Sequence, residues 1–142
     1  MATSESATRP DAQMAIRRML ALSAAIEGAT GFALIIVPAL VANLLLGQGV
    51  AGAGMGVARV AGVALLALAL ACWPDRGDVG GRTPGLRALL CYNLLVTLYL
   101  LRVGLASDSV ALLLWPAVAV HALFTFLFAR AWFTARPAAV RE

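Results

Sequence analysis

The chain has 142 residues, of which 62% are hydrophobic and only 13% charged, with a formal net charge of +4. Soluble domains run nearer half apolar and a quarter charged, so this composition points to a membrane protein and excludes a disordered chain, a nucleic-acid module and a secreted disulfide scaffold. All eleven basic residues are arginine and they cluster between apolar runs, the pattern of topology determinants rather than of a phosphate-binding surface.

Residues 1–13 are polar and carry Pro10, Glu5, Arg9 and Asp11, so they read as a disordered cytoplasmic tail ahead of a membrane domain over 14–135. After Arg17 and Arg18 the chain is apolar from Met19 to Val37, with no cleavage site of the secretory kind. About 20 apolar residues cross a hydrocarbon core of roughly 30 Å, so 19–37 is the first expected span. Pro38 lacks an N–H and clashes with the preceding turn, which leaves 38–46 as an apolar stub too short to cross again and best placed in the interface.

Gly47-Gln48-Gly49-Val50-Ala51-Gly52 has the letters of a dinucleotide fingerprint, but without a preceding strand it reads as a turn. The second span is expected over 55–73, with Arg59 near enough to its start to extend toward water. Pro74 to Gly85 is a polar loop rich in turn formers, 86–105 the third span and 110–133 the fourth, capped by Ser107-Asp108-Ser109 and admitting Pro116 near its start. Arg136-Pro137 ends it, and 136–142 is a second cytoplasmic tail. The expected fold is all-α: four transmembrane helices in an antiparallel bundle with a short interfacial helix after the first.

Four spans put both termini on one side. That side holds Arg9, Arg17, Arg18, Arg76, Arg82, Arg87, Arg130, Arg136 and Arg141, against Arg59 and Arg102 on the other. The bias makes the termini cytoplasmic and puts Trp73 and Trp132 at the cytoplasmic interface, where amphipathic rings are favoured.

The first span with Gly28 and Gly31, the stub Pro38 to Gly47, and Ala58-Arg59-Val60-Ala61-Gly62-Val63 opening the second resemble the small four-helix membrane proteins of the DoxX-like type. The resemblance covers the first half of the chain by its motifs and the rest by helix count. Some members of that group are named for association with quinol oxidase or thiosulfate metabolism, and others have no assigned activity. What it implies is an architecture, that of a multi-pass protein of the bacterial inner membrane, and no catalytic residue.

An ionisable group inside a span is costly and usually faces the bundle interior, which singles out Glu27. Asn93 and His121 fall at a similar depth: counted from Met19, Leu86 and Arg130 near the cytoplasmic helix ends, all three lie about 10–14 Å in at 1.5 Å per residue. Ser23 and Thr30 flank Glu27 at helical spacing, Thr97 follows Asn93 by one turn and Thr125 follows His121 by one turn. Two readings of this polar level stand: a carboxyl and imidazole that exchange a proton or cradle a polar headgroup, or interhelical glue in which each bond contributes on the order of 1 kcal/mol.

A single histidine makes no bis-His haem site within one chain, and Cys72 and Cys91 form no CxxC, so no metal or other cofactor is expected and both cysteines read as small packing residues. Tyr92 and Tyr99 read as ordinary amphipathic packing. Ala24, Gly28, Gly62, Ala117, Ala119 and Ala122 favour close helix contacts, and so small a bundle is expected to join a homo-oligomer or a larger membrane complex, with lipid as its solvent and no nucleic acid as partner. The functional expectation is a non-enzymatic accessory, assembly or scaffold component; the alternative is a small carrier, channel or redox-linked module using Glu27, Asn93 and His121.

Overall fold

The structure is a computed structural model that describes residues 8–74, 83–107 and 111–134. Five helices follow in order: α1 (Thr8–Ile36), α2 (Pro38–Leu46), α3 (Ala53–Ala71), α4 (Pro84–Ala106) and α5 (Leu114–Thr134). All but α2 are long and apolar enough to cross a membrane, and among the described residues there is no strand. The chain is a multi-pass, all-α membrane protein.

Helix ends follow local chemistry. Pro38 offers no N–H to continue α1, so the helix stops at Ile36, Val37 turns the chain, and Pro38 restarts it at the first position of α2. The carbonyls stranded at the end of α1 need donors, and Arg59 supplies one, its Nε 3.2 Å from Ile35 O. Arg59 is thus exposed, as expected, and also tied to the preceding helix. Gly47 ends α2 in the left-handed region at φ 73°, its N–H bonded to Asn43 O at 2.9 Å. The glycine-rich letters after the stub therefore serve as a helix C-cap, where a side chain would be strained. Thr83 caps α4 by accepting from Leu86 N at 3.2 Å, with Pro84 at the first helical position.

The expected stub, 38–46, matches α2, and the later spans differ from α3, α4 and α5 by a few residues. The larger difference is at the start. Residues 8–13, expected in a disordered tail, form the opening turns of α1, where Asp11 sits favourably near the positive end of the helix dipole. Residues 1–7 of that tail, most of the loop from Pro74 to Gly85, Asp108 and Ser109 of the expected α5 cap, and Arg136-Pro137 lie outside the described residues.

The bundle is two closely packed antiparallel pairs, α1 with α3 and α4 with α5. The first pair approaches through glycine: a Cβ on Gly31 would stand 2.6 Å from Gly62 O, and one on Gly62 2.6 Å from Gly31 O. Side chains fill the seam between the pairs in layers. At the end where α1 and α4 begin and α3 and α5 finish, Leu20, Cys72, Leu86, Leu89, Phe124, Phe128 and Ala131 form an apolar layer. Toward the other end Leu100, Ala111 and Leu114 form a second, to which Leu45 of α2 packs. A backbone bond from Leu113 N to Leu44 O at 2.9 Å fastens α2 to the segment entering α5. Leu70, Leu105 and Phe133 are among many large apolar side chains facing outward, the arrangement expected where the surrounding solvent is lipid.

Candidate functional site

Between the two apolar layers lies a polar one. Ser23, Glu27 and Asn93 are the buried polar or charged residues among those described, with 0%, 2% and 0% of their surface exposed. They come together because α1, α4 and α5 each turn one stripe toward the seam. On α4 that stripe runs Leu86, Leu89, Asn93, Leu100, and on α5 it runs Leu114, His121, Phe124, Phe128, so each helix places one polar side chain between apolar neighbours.

Asn93 is the hub. Its Nδ2 donates to Leu89 O at 2.8 Å and, over a long 3.5 Å, to Ser23 Oγ on α1. Its Oδ1 lies 2.9 Å from His121 Nδ1 on α5. The same Nδ1 is 3.8 Å from Glu27 Oε1, which is the one ion pair among the described residues when the imidazole is protonated. Tyr92 reaches toward the Glu27 carboxyl closely enough for the two side chains to interact, and its ring meets the His121 ring edge to face with centroids 5.9 Å apart.

Glu27, Asn93 and His121, singled out from depth alone, are therefore in one network with Ser23. They lie nine residues before Ile36, nine after Pro84 and seven after Leu114, near the middle of the bundle.

The three threonines stand apart from the side-chain network. Thr30, Thr97 and Thr125 each return their hydroxyl to their own helix, donating to Ile26 O at 2.9 Å, Asn93 O at 2.7 Å and His121 O at 2.8 Å. This is the ordinary local bond of a helical threonine, and it serves the backbone of the cluster rather than its chemistry.

Tyr92 is the member that helical spacing missed. It adjoins Asn93 in sequence, and neighbouring helical residues point about 100° apart, so a face-by-face reading assigns it to another side. The ring is long enough to bring its hydroxyl back to Glu27. Tyr99, by contrast, is 57% exposed. Cys72 is buried in the first apolar layer and Cys91 faces outward, both as free thiols.

Chemically, the layer offers a carboxyl, an imidazole, a phenol, an amide and a hydroxyl in mutual contact, and no fully buried side-chain nitrogen or oxygen among the described residues lacks a partner. No group of three or more His, Cys, Asp or Glu side chains is gathered there as metal ligands among those residues. In comparisons with known proteins, no family model, no curated protein and no solved structure matches the chain.

Proposed function

We propose that this chain is a small non-enzymatic component of a bacterial inner-membrane complex, of the DoxX-like kind, which assembles with or scaffolds other membrane proteins. The observation that carries the reading is the polar layer between α1, α4 and α5: Asn93 is bonded to Ser23 and lies 2.9 Å from His121, with Glu27 and Tyr92 set against them. Such a layer joins the two helix pairs and spends most of its polar groups on that joint. The outward faces, α3 above all, are then free to pack against a partner or a second copy.

The arginines support an orientation with both termini cytoplasmic. Arg17, Arg18, Arg87 and Arg130 belong to the end of the bundle where α1 starts, and Arg59 and Arg102 to the opposite end. Trp73 is exposed at the same end as the four arginines.

The alternative, a carrier, channel or redox-linked module, draws on one specific feature, the 3.8 Å carboxyl–imidazole pair at mid-depth. Purification in mild detergent separates the two. A membrane protein retained in fixed ratio supports the accessory role; a chain isolated alone with a bound small molecule, or one that moves ions in vesicles, supports the alternative.

A further inference from the structure

The bonds around Asn93 fix what each nitrogen of the His121 ring does. Leu89 O can only accept, so the amide group 2.8 Å from it is the NH2 of Asn93, and the amide oxygen is the atom turned to His121. That oxygen can only accept as well. Nδ1 of His121, 2.9 Å away, must therefore carry the hydrogen.

A neutral imidazole has one N–H, so Nε2 keeps a bare lone pair. Among the described residues no protein atom bonds Nε2, and no fully buried side-chain nitrogen is without a partner. Nε2 is then at least partly exposed, in keeping with the 13% exposure of the side chain, on the part of the ring turned away from Asn93 and Glu27. The helix start at Leu114 is seven residues away, about 10 Å at 1.5 Å per residue, so a proton reaches the ring across about two helical turns.

The titratable groups facing the ring are Glu27 from α1 and Tyr92 from α4. No other titratable side chain of α5 turns toward it, since Arg130 lies nine residues on, and α3 packs along α1 with no titratable side chain in contact with the ring among the described residues.

We propose that Nε2 of His121 is an outward-facing proton-binding site, with Asn93 as the positioning residue that holds the ring and Glu27 as the counter-charge. A proton from water adds to the Nε2 lone pair, and the N–H at Nδ1 stays on Asn93. The positive charge is shared by both nitrogens, one of them 3.8 Å from Glu27 Oε1. No bond other than the new N–H forms and nothing is oxidised. The buried carboxyl thereby gains a partner without itself reaching water.

His121 is the only histidine in the chain, so nitrogen magnetic resonance of protein labelled at histidine and purified by a histidine-free tag reads this ring without assignment. In bilayers at neutral to alkaline pH, the expected spectrum has the hydrogen on Nδ1 and none on Nε2, the reverse of the form that free imidazole side chains favour. On acidification between about pH 8 and 4 the Nε2 signal moves to the protonated position. Asn93→Leu releases the ring and the Nε2–H form appears, whereas Asn93→Asp, which keeps an acceptor, retains the native form. In Glu27→Gln the imidazolium has lost its neighbouring carboxylate, and about tenfold more protons are needed to form it.

A hydrogen on Nε2 in the unaltered protein, a ring that does not titrate across that range, or a titration unmoved in Glu27→Gln would each overturn the assignment. The measurement on the unaltered protein stands even where a variant does not fold. A proton site of this kind needs no partner, so a failed titration leaves the accessory role standing, and isolation of the chain alone leaves the proton site standing.

Discussion

Gly31 and Gly62 face each other so closely that a methyl group added to either would come within 2.6 Å of the other's carbonyl oxygen. The obstruction is backbone, which cannot swing aside as a side chain can, so α1 and α3 must separate to admit it. Gly31→Ala and Gly62→Ala are each expected to destabilise the detergent-solubilised protein by about 1–3 kcal/mol, the usual cost of overpacking. Gly56, also in α3, has open space where a Cβ would stand. Gly56→Ala is expected to stabilise by up to about 1 kcal/mol through helix propensity alone. Thermal unfolding of the three variants checks the opposite signs, and equal effects at Gly31 and Gly56 would contradict the close approach.

The polar layer predicts energetic coupling. Glu27→Gln and His121→Gln are expected to destabilise non-additively, with a coupling of about 0.5–2 kcal/mol, because residues within one hydrogen-bonded network share partners. Tyr92→Phe removes the hydroxyl that reaches Glu27 and is expected to couple to Glu27→Gln as well. Tyr99→Phe, on the outward face, is the control and is expected to add independently. A double-mutant cycle in detergent measures all three pairs; strict additivity for Tyr92 with Glu27 would remove the tyrosine from the cluster.

Much of this layer was legible because hydrophobic length and the cost of a buried charge act locally. Glu27 interrupts an apolar run, and depth counted from the helix ends brought Asn93 and His121 to its level without any knowledge of packing. Two things were hidden. The reach of Tyr92 depends on a side-chain direction and a ring length that a helical wheel averages away. The start of α1 was hidden because residues 8–13 are polar and helical at once: composition reports what cannot be buried, while the backbone continues a helix already nucleated by the apolar run beyond. Thr30, Thr97 and Thr125 show the converse, since helical spacing placed them beside the cluster but their hydroxyls satisfy their own backbones.

The two cysteines are expected to report different surroundings. Cys72, just past the end of α3, is buried beneath Leu86 and Phe128, and burial pushes its thiol above the ordinary value. It stays protonated and covered, so maleimide is expected to label it only as the protein unfolds. The folded chain holds this proton more tightly than the unfolded chain does, so stability is expected to fall as pH rises above the ordinary thiol range, and Cys72→Ala should flatten that fall. Cys91 faces outward from within α4, so a lipid-soluble thiol reagent is expected to reach it in the folded protein. Rapid labelling of Cys72 in folded Cys91→Ser protein would show that the first apolar layer opens.

The position of α2 decides whether the bundle has an accessible outer rim. Asn43 is exposed, while Pro38 and Ala42 on the same short helix are buried, so α2 lies with one face on the bundle and the other away from it. In the proposed orientation, with both termini cytoplasmic, that outer face would belong to the periplasmic boundary. Asn43→Cys in a background of Cys72→Ala and Cys91→Ser is therefore expected to react with an impermeant maleimide in cells whose outer membrane has been permeabilised. A reporter fused after Arg136 should give a cytoplasmic signal in the same strain. Both results together fix the direction of the arginine bias. Labelling at Asn43 only after the inner membrane is breached, with a periplasmic signal from the fusion, would invert the bundle while leaving its packing intact. Protection of Asn43 on both sides would mean that α2 is covered by a neighbouring protein, the outcome the accessory role favours most directly.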